Sequence, residues 1–318
     1  MKNILVIGGT GFLGSAIVRE LARRPCHPGA GRGSAVRVDT ATHNFCFTLP
    51  TRRRERAKHL LVLPTVRVVD ADVHDPATLA RLMVGQDAVI SLVGILKGGE
   101  GEPYGKGFTR AHVELPQKIA AAARAAGVRR VLHVSALKAA PDAPSGYLRS
   151  KEAGEAALKA AGLDLTIFRP SVIFGPGDSF LTLFARMARI APFFPLAGAE
   201  ARFQPVWVED VAAAVADSLS RAESIGATYD LCGPQQYSLR QLVSYAAAIS
   251  GHPRAVIGLP QAIAWLQAWA MEFIPNGPMT RDNIRSMQVA SVCDAGCALP
   301  FGRSATALEV VAPAYLRN

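Results

Sequence analysis

Short apolar runs recur along the first 175 positions, and stretches of helical periodicity separate them. The runs Ile4–Ile7, Val66–Asp70, Ala88–Val93, Val131–Ser135 and Leu165–Arg169 are read as strands. Leu13–Arg24 carries apolar residues at helical spacing and stops at Pro25. Asp75-Pro76 reads as an N-cap followed by Pro in the first turn. Thr109–Ala126 and Tyr147–Ala161 are helical and stop before Gly127 and Gly162, as C-caps require. Uniformly apolar strands between helices bury both faces. The pattern therefore predicts an α/β fold: a Rossmann-type, doubly wound parallel sheet.

Residues 25–44 break the alternation. They are rich in Gly, Pro, His and Thr and read as an insertion in a surface loop. Two segments compete for the second strand, Ala35–Val38 and Phe45–Leu49. Cys26, His27, His43 and Cys46 lie here, but their spacing matches no recognised metal motif, and no metal is expected. After Gly175-Pro176-Gly177 the pattern loosens. Phe180–Ile190 looks helical, Phe203–Trp207 extended, Tyr229–Leu231 a strand, and Ser238 caps a helix running to Ser250. The division expected is a nucleotide-binding domain over 1–175, to which the chain returns at about 206–232, and a smaller C-terminal lobe drawn mostly from 176–318.

Composition narrows the class. Of 318 residues, half are hydrophobic and 19% charged, which excludes global disorder. Thirty-five Lys and Arg against 25 Asp and Glu give a net charge of +10. Such a balance suits phosphate-bearing ligands, nucleic acid or an anionic membrane surface. The basic residues form no stripe interleaved with aromatics, so nucleic acid is not expected. Five Cys are too few for a disulfide scaffold and point to a reducing compartment. Met1-Lys2-Asn3 runs directly into Ile4–Ile7 without the features of a targeting peptide. No run of about 18 apolar residues occurs. The expected location is a bacterial cytoplasm, with peripheral attachment to the inner face of the membrane as an open alternative.

Gly8-Gly9-Thr10-Gly11-Phe12-Leu13-Gly14 follows the first strand and opens the first helix. Gly8 permits the tight turn, Gly11 lets a pyrophosphate approach the backbone, and Gly14 lets helix and sheet pack closely. In this context the triplet predicts dinucleotide binding. Tyr147 and Lys151 stand at i and i+4, on one side of a helix. An ammonium near a phenol favours phenolate, so the Tyr147 pKa is expected below its usual value, as suits an acid/base in hydride transfer. Trp265 and Trp269 share a face of an aromatic stretch (Ile263, Leu266, Phe273), either packed on the core or facing a membrane, a quinone-like ligand or a partner.

The Gly-x-x-Gly-x-x-Gly spacing resembles the short-chain dehydrogenase/reductase superfamily in its extended or atypical branches. Asp70-Ala71-Asp72-Val73, Tyr147-Leu148-Arg149-Ser150-Lys151, Arg169-Pro170 with Gly175-Pro176-Gly177, and Val206-Trp207-Val208-Glu209-Asp210-Val211-Ala212 extend the resemblance from residue 4 to about 250. Thr51-Arg52-Arg53-Arg54-Glu55-Arg56, Phe203-Gln204-Pro205-Val206, Asp230-Leu231-Cys232-Gly233-Pro234 and Leu299-Pro300-Phe301-Gly302 are similar to one atypical branch. That branch holds the nucleotide-binding accessory subunit of respiratory complex I and its bacterial homologues. The resemblance implies cofactor contacts from Gly8, Thr10, Gly11, Phe12, Leu13, Gly14, Asp72, Val73, Val93, Gly94, Lys151, Arg169 and Pro170, and a catalytic set of Tyr147, Lys151 and Ser135. With Phe45–Leu49 as second strand, Arg52 and Arg53 face a 2′-phosphate and NADP(H) is expected. With Val36–Val38, Asp39 takes the position facing the ribose 2′-hydroxyl and NAD(H) is expected. Leu137 stands where many extended members carry the working hydroxyl, and His112 where the superfamily commonly has Asn. Two functions follow as expectations. One is a nucleotide-holding protein with a structural or redox-sensing role, docked on a respiratory complex or membrane. The other is an active NAD(P)-dependent reductase, epimerase or dehydratase.

Overall fold

A computed structural model of the chain describes residues 2–24, 45–274, 277, 279–294 and 298–317. In chain order the first half contains β1 (Lys2–Ile7), α1 (Phe12–Arg23), β2 (Phe45–Thr51), β3 (Val66–Asp70), α2 (Pro76–Met83), β4 (Ala88–Ser91), α3 (Lys106–Phe108), α4 (Leu115–Ala125), β5 (Arg130–Val134), α5 (Gly146–Lys159) and β6 (Asp164–Pro170). Residues Thr109–Glu114 form a π-helical turn joining α3 to α4. The second half contains β7 (Ile173–Phe174), α6 (Leu181–Ala188), β8 (Phe193–Leu196), β9 (Arg202–Phe203), β10 (Val206–Trp207), α7 (Val208–Ser218), β11 (Thr228–Leu231), β12 (Tyr237–Ser238), α8 (Leu239–Ile249), β13 (Ala255–Gly258), α9 (Gln261–Glu272), α10 (Arg281–Ser286) and α11 (Leu308–Leu316).

The main sheet has seven strands in the order β11-β6-β5-β4-β1-β2-β3, and every pairing is parallel. Successive residues of β1 show why the strand is apolar throughout. Ile4 and Val6 enter a core shared with α1 and α7, and Leu5 and Ile7 enter another with Leu79 of α2, Ile119 of α4 and Leu158 of α5. Burial on both faces removes the polar alternation of a half-exposed strand. The strand order reverses between β1 and β4, and crevices at such switch points are where ligands bind in open α/β sheets.

Sheet pairing settles the second strand. Residues 45–51 pair with β1 and β3; the competing segment 35–38, with the rest of the 25–44 insertion, lies outside the described residues. The Cys26, His27 and His43 positions fall there too. Among the described residues no group of three or more His, Cys, Asp or Glu could hold a metal ion.

In the lobe, α6, α8 and α11 enclose Phe174, Leu242, Ala246 and Ala312, and β8 pairs with β13 beside them. The extended stretch 203–207 divides into β9 and β10, which join different two-stranded sheets. Two of the five cysteines are joined. Cys232, just past β11, and Cys293 are 61 positions apart and form a disulfide. It packs against Leu137 beyond the end of β5.

Candidate functional site

The turn after β1 is built from backbone. Gly8 has φ +87°, a left-handed conformation that favours glycine. A Cβ on Gly14 would lie 2.5 Å from the Gly8 carbonyl oxygen and 2.6 Å from Gly9 Cα, so only glycine lets α1 start this close to the turn. Gly11 differs: a Cβ there would meet only the Gly8 oxygen, at 3.2 Å. Its outer side is open. Gly11 caps α1 without a side-chain hydrogen bond, and the first turn carries no acidic residue. The helix therefore presents backbone N–H groups and its positive dipole end to an anion. Thr10, Phe12 and Leu13 complete this rim.

Around it stand the ends of the neighbouring strands. Arg52 and Arg53 follow β2, both exposed. Thr51 Oγ1 accepts from the Arg53 N–H at 3.2 Å and shapes the bend. Asp72, beyond β3, accepts from the His74 N–H at 3.0 Å and lies 3.7 Å from Arg110; Val73 joins the apolar layer under α2 and α4. Val93 and Gly94 leave β4 directly beneath Lys151, whose Nζ would lie 3.2 Å from a Cβ on Gly94. The residues present fit a dinucleotide: an open cradle for the pyrophosphate and strand ends on both sides of the switch point.

A buried polar cluster lies between the sheet and α5. Lys151 is 4% exposed and donates to the Val134 carbonyl at 3.2 Å. Burial lowers its ammonium to about 8, against an upward pull from Glu155. His112, in the π-helical turn, accepts at Nε2 from the Ile95 N–H at 3.0 Å. Its Nδ1 lies 2.9 Å from Ser150 Oγ, and Ser150 donates to the Tyr147 carbonyl at 2.7 Å. This chain of donors places the imidazole proton on Nδ1. Burial and the Lys151 charge push His112 down to about 2, so it is neutral. His133 of β5 is pushed down to about 3 by the same causes.

Tyr147 departs from expectation. Its phenol is pushed up to about 12, not down, because burial disfavours phenolate. The ring stands between Phe108, 6.1 Å away, and the edge of His112, 5.6 Å away. It packs with Ala136, next to Ser135. Ser135 is 4% exposed, and its Oγ has no hydrogen-bond partner among the described residues. Its chain neighbours meet the Tyr-Lys pair, since the Val134 carbonyl accepts from Lys151 and Ala136 packs with Tyr147, and a buried hydroxyl without a partner there is a candidate donor to a ligand.

Two of the expected contacts have a second employment. Arg169 forms a two-point ion pair, 2.8 and 2.6 Å, with the fully buried Glu155 one turn beyond Lys151, and so braces β6 against α5. Pro170 accepts from the Leu137 N–H at 3.1 Å. Sequence reasoning missed Glu155 and also Asp282. The Asp282 carboxylate is 6% exposed and accepts from the N–H groups of Gly146 and Tyr147, at 2.7 and 3.0 Å. A lobe residue therefore caps the helix that carries the Tyr-Lys pair. Beside it opens a cavity of about 330 Å³ lined by Gly98, Glu100, Phe108, Glu272, Ile274 and Asp282.

A parallel sheet with a glycine cradle at its switch point and a Tyr-x-x-x-Lys helix alongside defines an extended short-chain dehydrogenase/reductase. The family model described as NAD dependent epimerase/dehydratase matches residues 4–232, and the chain belongs to that family. It thus binds NAD(P). It is similar to the rat mitochondrial NADH dehydrogenase [ubiquinone] 1 alpha subcomplex subunit 9, with 29% identity covering 90% of this chain and 72% of the relative. It is also similar to the ceramide reductase of Caulobacter vibrioides, with 32% identity covering 84% and 78%. Among solved structures, the Escherichia coli NADPH-dependent quinone oxidoreductase QOR2 complexed with NADPH superposes with a TM-score of 0.72, at 21% identity, over 99% of this chain and all of that one. At that identity the likeness speaks for the fold.

Proposed function

We propose that the chain is an NADPH-dependent reductase of a carbonyl compound bound between the end of β5 and the lobe. One observation carries the reading: the buried Ser135 hydroxyl has no hydrogen-bond partner among the described residues, and it lies in the chain between Val134, whose carbonyl accepts from Lys151, and Ala136, which packs with Tyr147. The dinucleotide supplies the hydride when bound. Ser135 donates a hydrogen bond to the substrate oxygen, and Tyr147 gives that oxygen its phenolic proton. Lys151, cationic near neutrality, stabilises the phenolate left behind. The preference for NADP(H) rests on Arg52 and Arg53: they are exposed at the end of β2, and no ion pair to either is found among the described residues. The similarity to a ceramide reductase supports turnover.

A second reading is a nucleotide holder in a larger respiratory assembly. It is favoured by Leu137, buried against the disulfide where many extended members have a hydroxyl, and by the mitochondrial NADH dehydrogenase relatives. Single-turnover oxidation of bound NADPH by a panel of carbonyls and quinones separates the two. The reductase reading expects NADPH loss with at least one acceptor, and Tyr147→Phe to slow it by about 10²–10⁴-fold at nearly unchanged NADPH affinity. Tight NADPH binding with no oxidation by any acceptor would leave only the holder.

A further inference from the structure

We propose that the outer face of α9, continued by the β8–β13 pair and the end of α6, docks on an anionic lipid bilayer. The inner face of α9 is satisfied: Ala264 and Ala268 are buried against Ala197 and Ile284. The outer face is not. Ile263, Leu266, Trp269 and Phe273 recur at helical spacing and are 52, 62, 47 and 71% exposed. The Trp269 and Phe273 rings stack edge-on with centroids 5.1 Å apart, so the face holds its shape without a partner. Trp265 is not part of it, because its ring lies under the Arg285 guanidinium.

The patch extends beyond the helix. Gln267 Nε2 donates to the Pro195 carbonyl at 3.1 Å and fixes α9 beside β8. In β8, Phe193 and Pro195 face outward while Phe194 and Leu196 are buried; Ile257, paired with Pro195, is 51% exposed. Monomeric soluble proteins rarely leave a contiguous apolar surface of this kind uncovered.

Charge selects the occupant. Residues 181–199 and 231–271 contain no Asp or Glu, and the acids that follow them, Glu200 and Glu272, are ion-paired with Arg240 and Arg281. The two segments do contain Arg186, Arg189 and Arg254, and Arg186 and Arg189 are exposed next to Ile190, itself 88% exposed. A second copy of the chain would set these cations against each other. An anionic headgroup layer complements them, and the acyl boundary beneath takes the apolar arc, with tryptophan at the depth it prefers. At 12 residues α9 is too short to span a bilayer and would lie in its plane. Glu272 at its C-terminal end and Ile274 just beyond also line the cavity beside Asp282 and Phe108, so docking would bring that opening to the lipid surface.

The test is cosedimentation of the full chain with vesicles of phosphatidylglycerol and phosphatidylcholine, or of phosphatidylcholine alone, at low and high salt. Acidic vesicles should pellet the protein at low salt and release it at high salt. Lipids brominated in the acyl chain should quench its tryptophan emission. Arg186→Gln/Arg189→Gln should weaken vesicle binding by about tenfold, each cation contributing several-fold. Leu266→Glu/Phe273→Glu should abolish it with NADPH binding unchanged, which shows that the variant is folded. Failure to pellet with acidic vesicles at low salt would overturn the proposal. So would pelleting that Leu266→Glu/Phe273→Glu leaves intact, or a concentration-dependent dimer that this variant dissolves.

Discussion

The cradle after β1 and the cluster behind Tyr147 flank one crevice and are built on opposite principles. The cradle is main chain and open side: Gly8, Gly11 and Gly14 contribute no side chains, and the nearby cations Arg52 and Arg53 are exposed. The cluster is side chain and sealed: His112, His133, Ser135, Ser150, Lys151 and Glu155 are each 4% exposed or less. A site made of backbone is indifferent to protonation and intolerant of added volume. A site made of buried titratable groups is the reverse, because each group's charge state depends on its neighbours and on desolvation.

The contrast can be broken most severely at Gly11. Gly11→Val puts a branched side chain where the structure has open space for a pyrophosphate, with little to collide with inside the protein. NADPH and NADH binding should each fall by about 100-fold or more while the melting temperature stays near wild type. Near-native affinity in a calorimetric titration would place the pyrophosphate elsewhere. The rim comes next. Arg52→Ala/Arg53→Ala should cost NADPH about tenfold or more, the size of one lost charge-assisted hydrogen bond, and leave NADH within about twofold. Equal losses for both dinucleotides would remove the NADP(H) assignment.

The smallest effect is a pH dependence that belongs to the cluster alone. Lys151 is protonated below about 8 and neutral above it, since burial lowers its ammonium from the ordinary value. On the proposed reading, the cationic form is the one that would donate to ribose hydroxyls and attract the phosphates. NADPH affinity should therefore be level up to about pH 8 and decline several-fold above it, and Lys151→Met should flatten the profile. The cradle has no group that titrates there, so a decline that persists in Lys151→Met would contradict the division of labour.

Much of the site was legible because its signals are local. The glycine spacing, the Tyr147–Lys151 helical repeat and the uniformly apolar strands need only a few consecutive residues to declare themselves. The lobe was less legible. Trp265 and Trp269 read as one face, yet Arg285 covers the first and nothing among the described residues covers the arc of the second. The small residues Ala264 and Ala268, not the aromatics, mark the buried side of α9.

By itself the sequence determined the class of fold, the glycine turn after the first strand and the helix that carries the Tyr-x-x-x-Lys pair. These follow from hydrophobic period, turn stereochemistry and helical spacing, which act over one element at a time. Tertiary structure alone decided that 45–51 is the second strand, that Asp282 caps α5 from 135 and 136 positions away, and that Cys232 meets Cys293. It also raised the Tyr147 phenol through burial, against the lowering expected from the Tyr147–Lys151 spacing. Each of these depends on which distant groups share a dry interior, and desolvation there is a property of the packed assembly, not of any short stretch of chain.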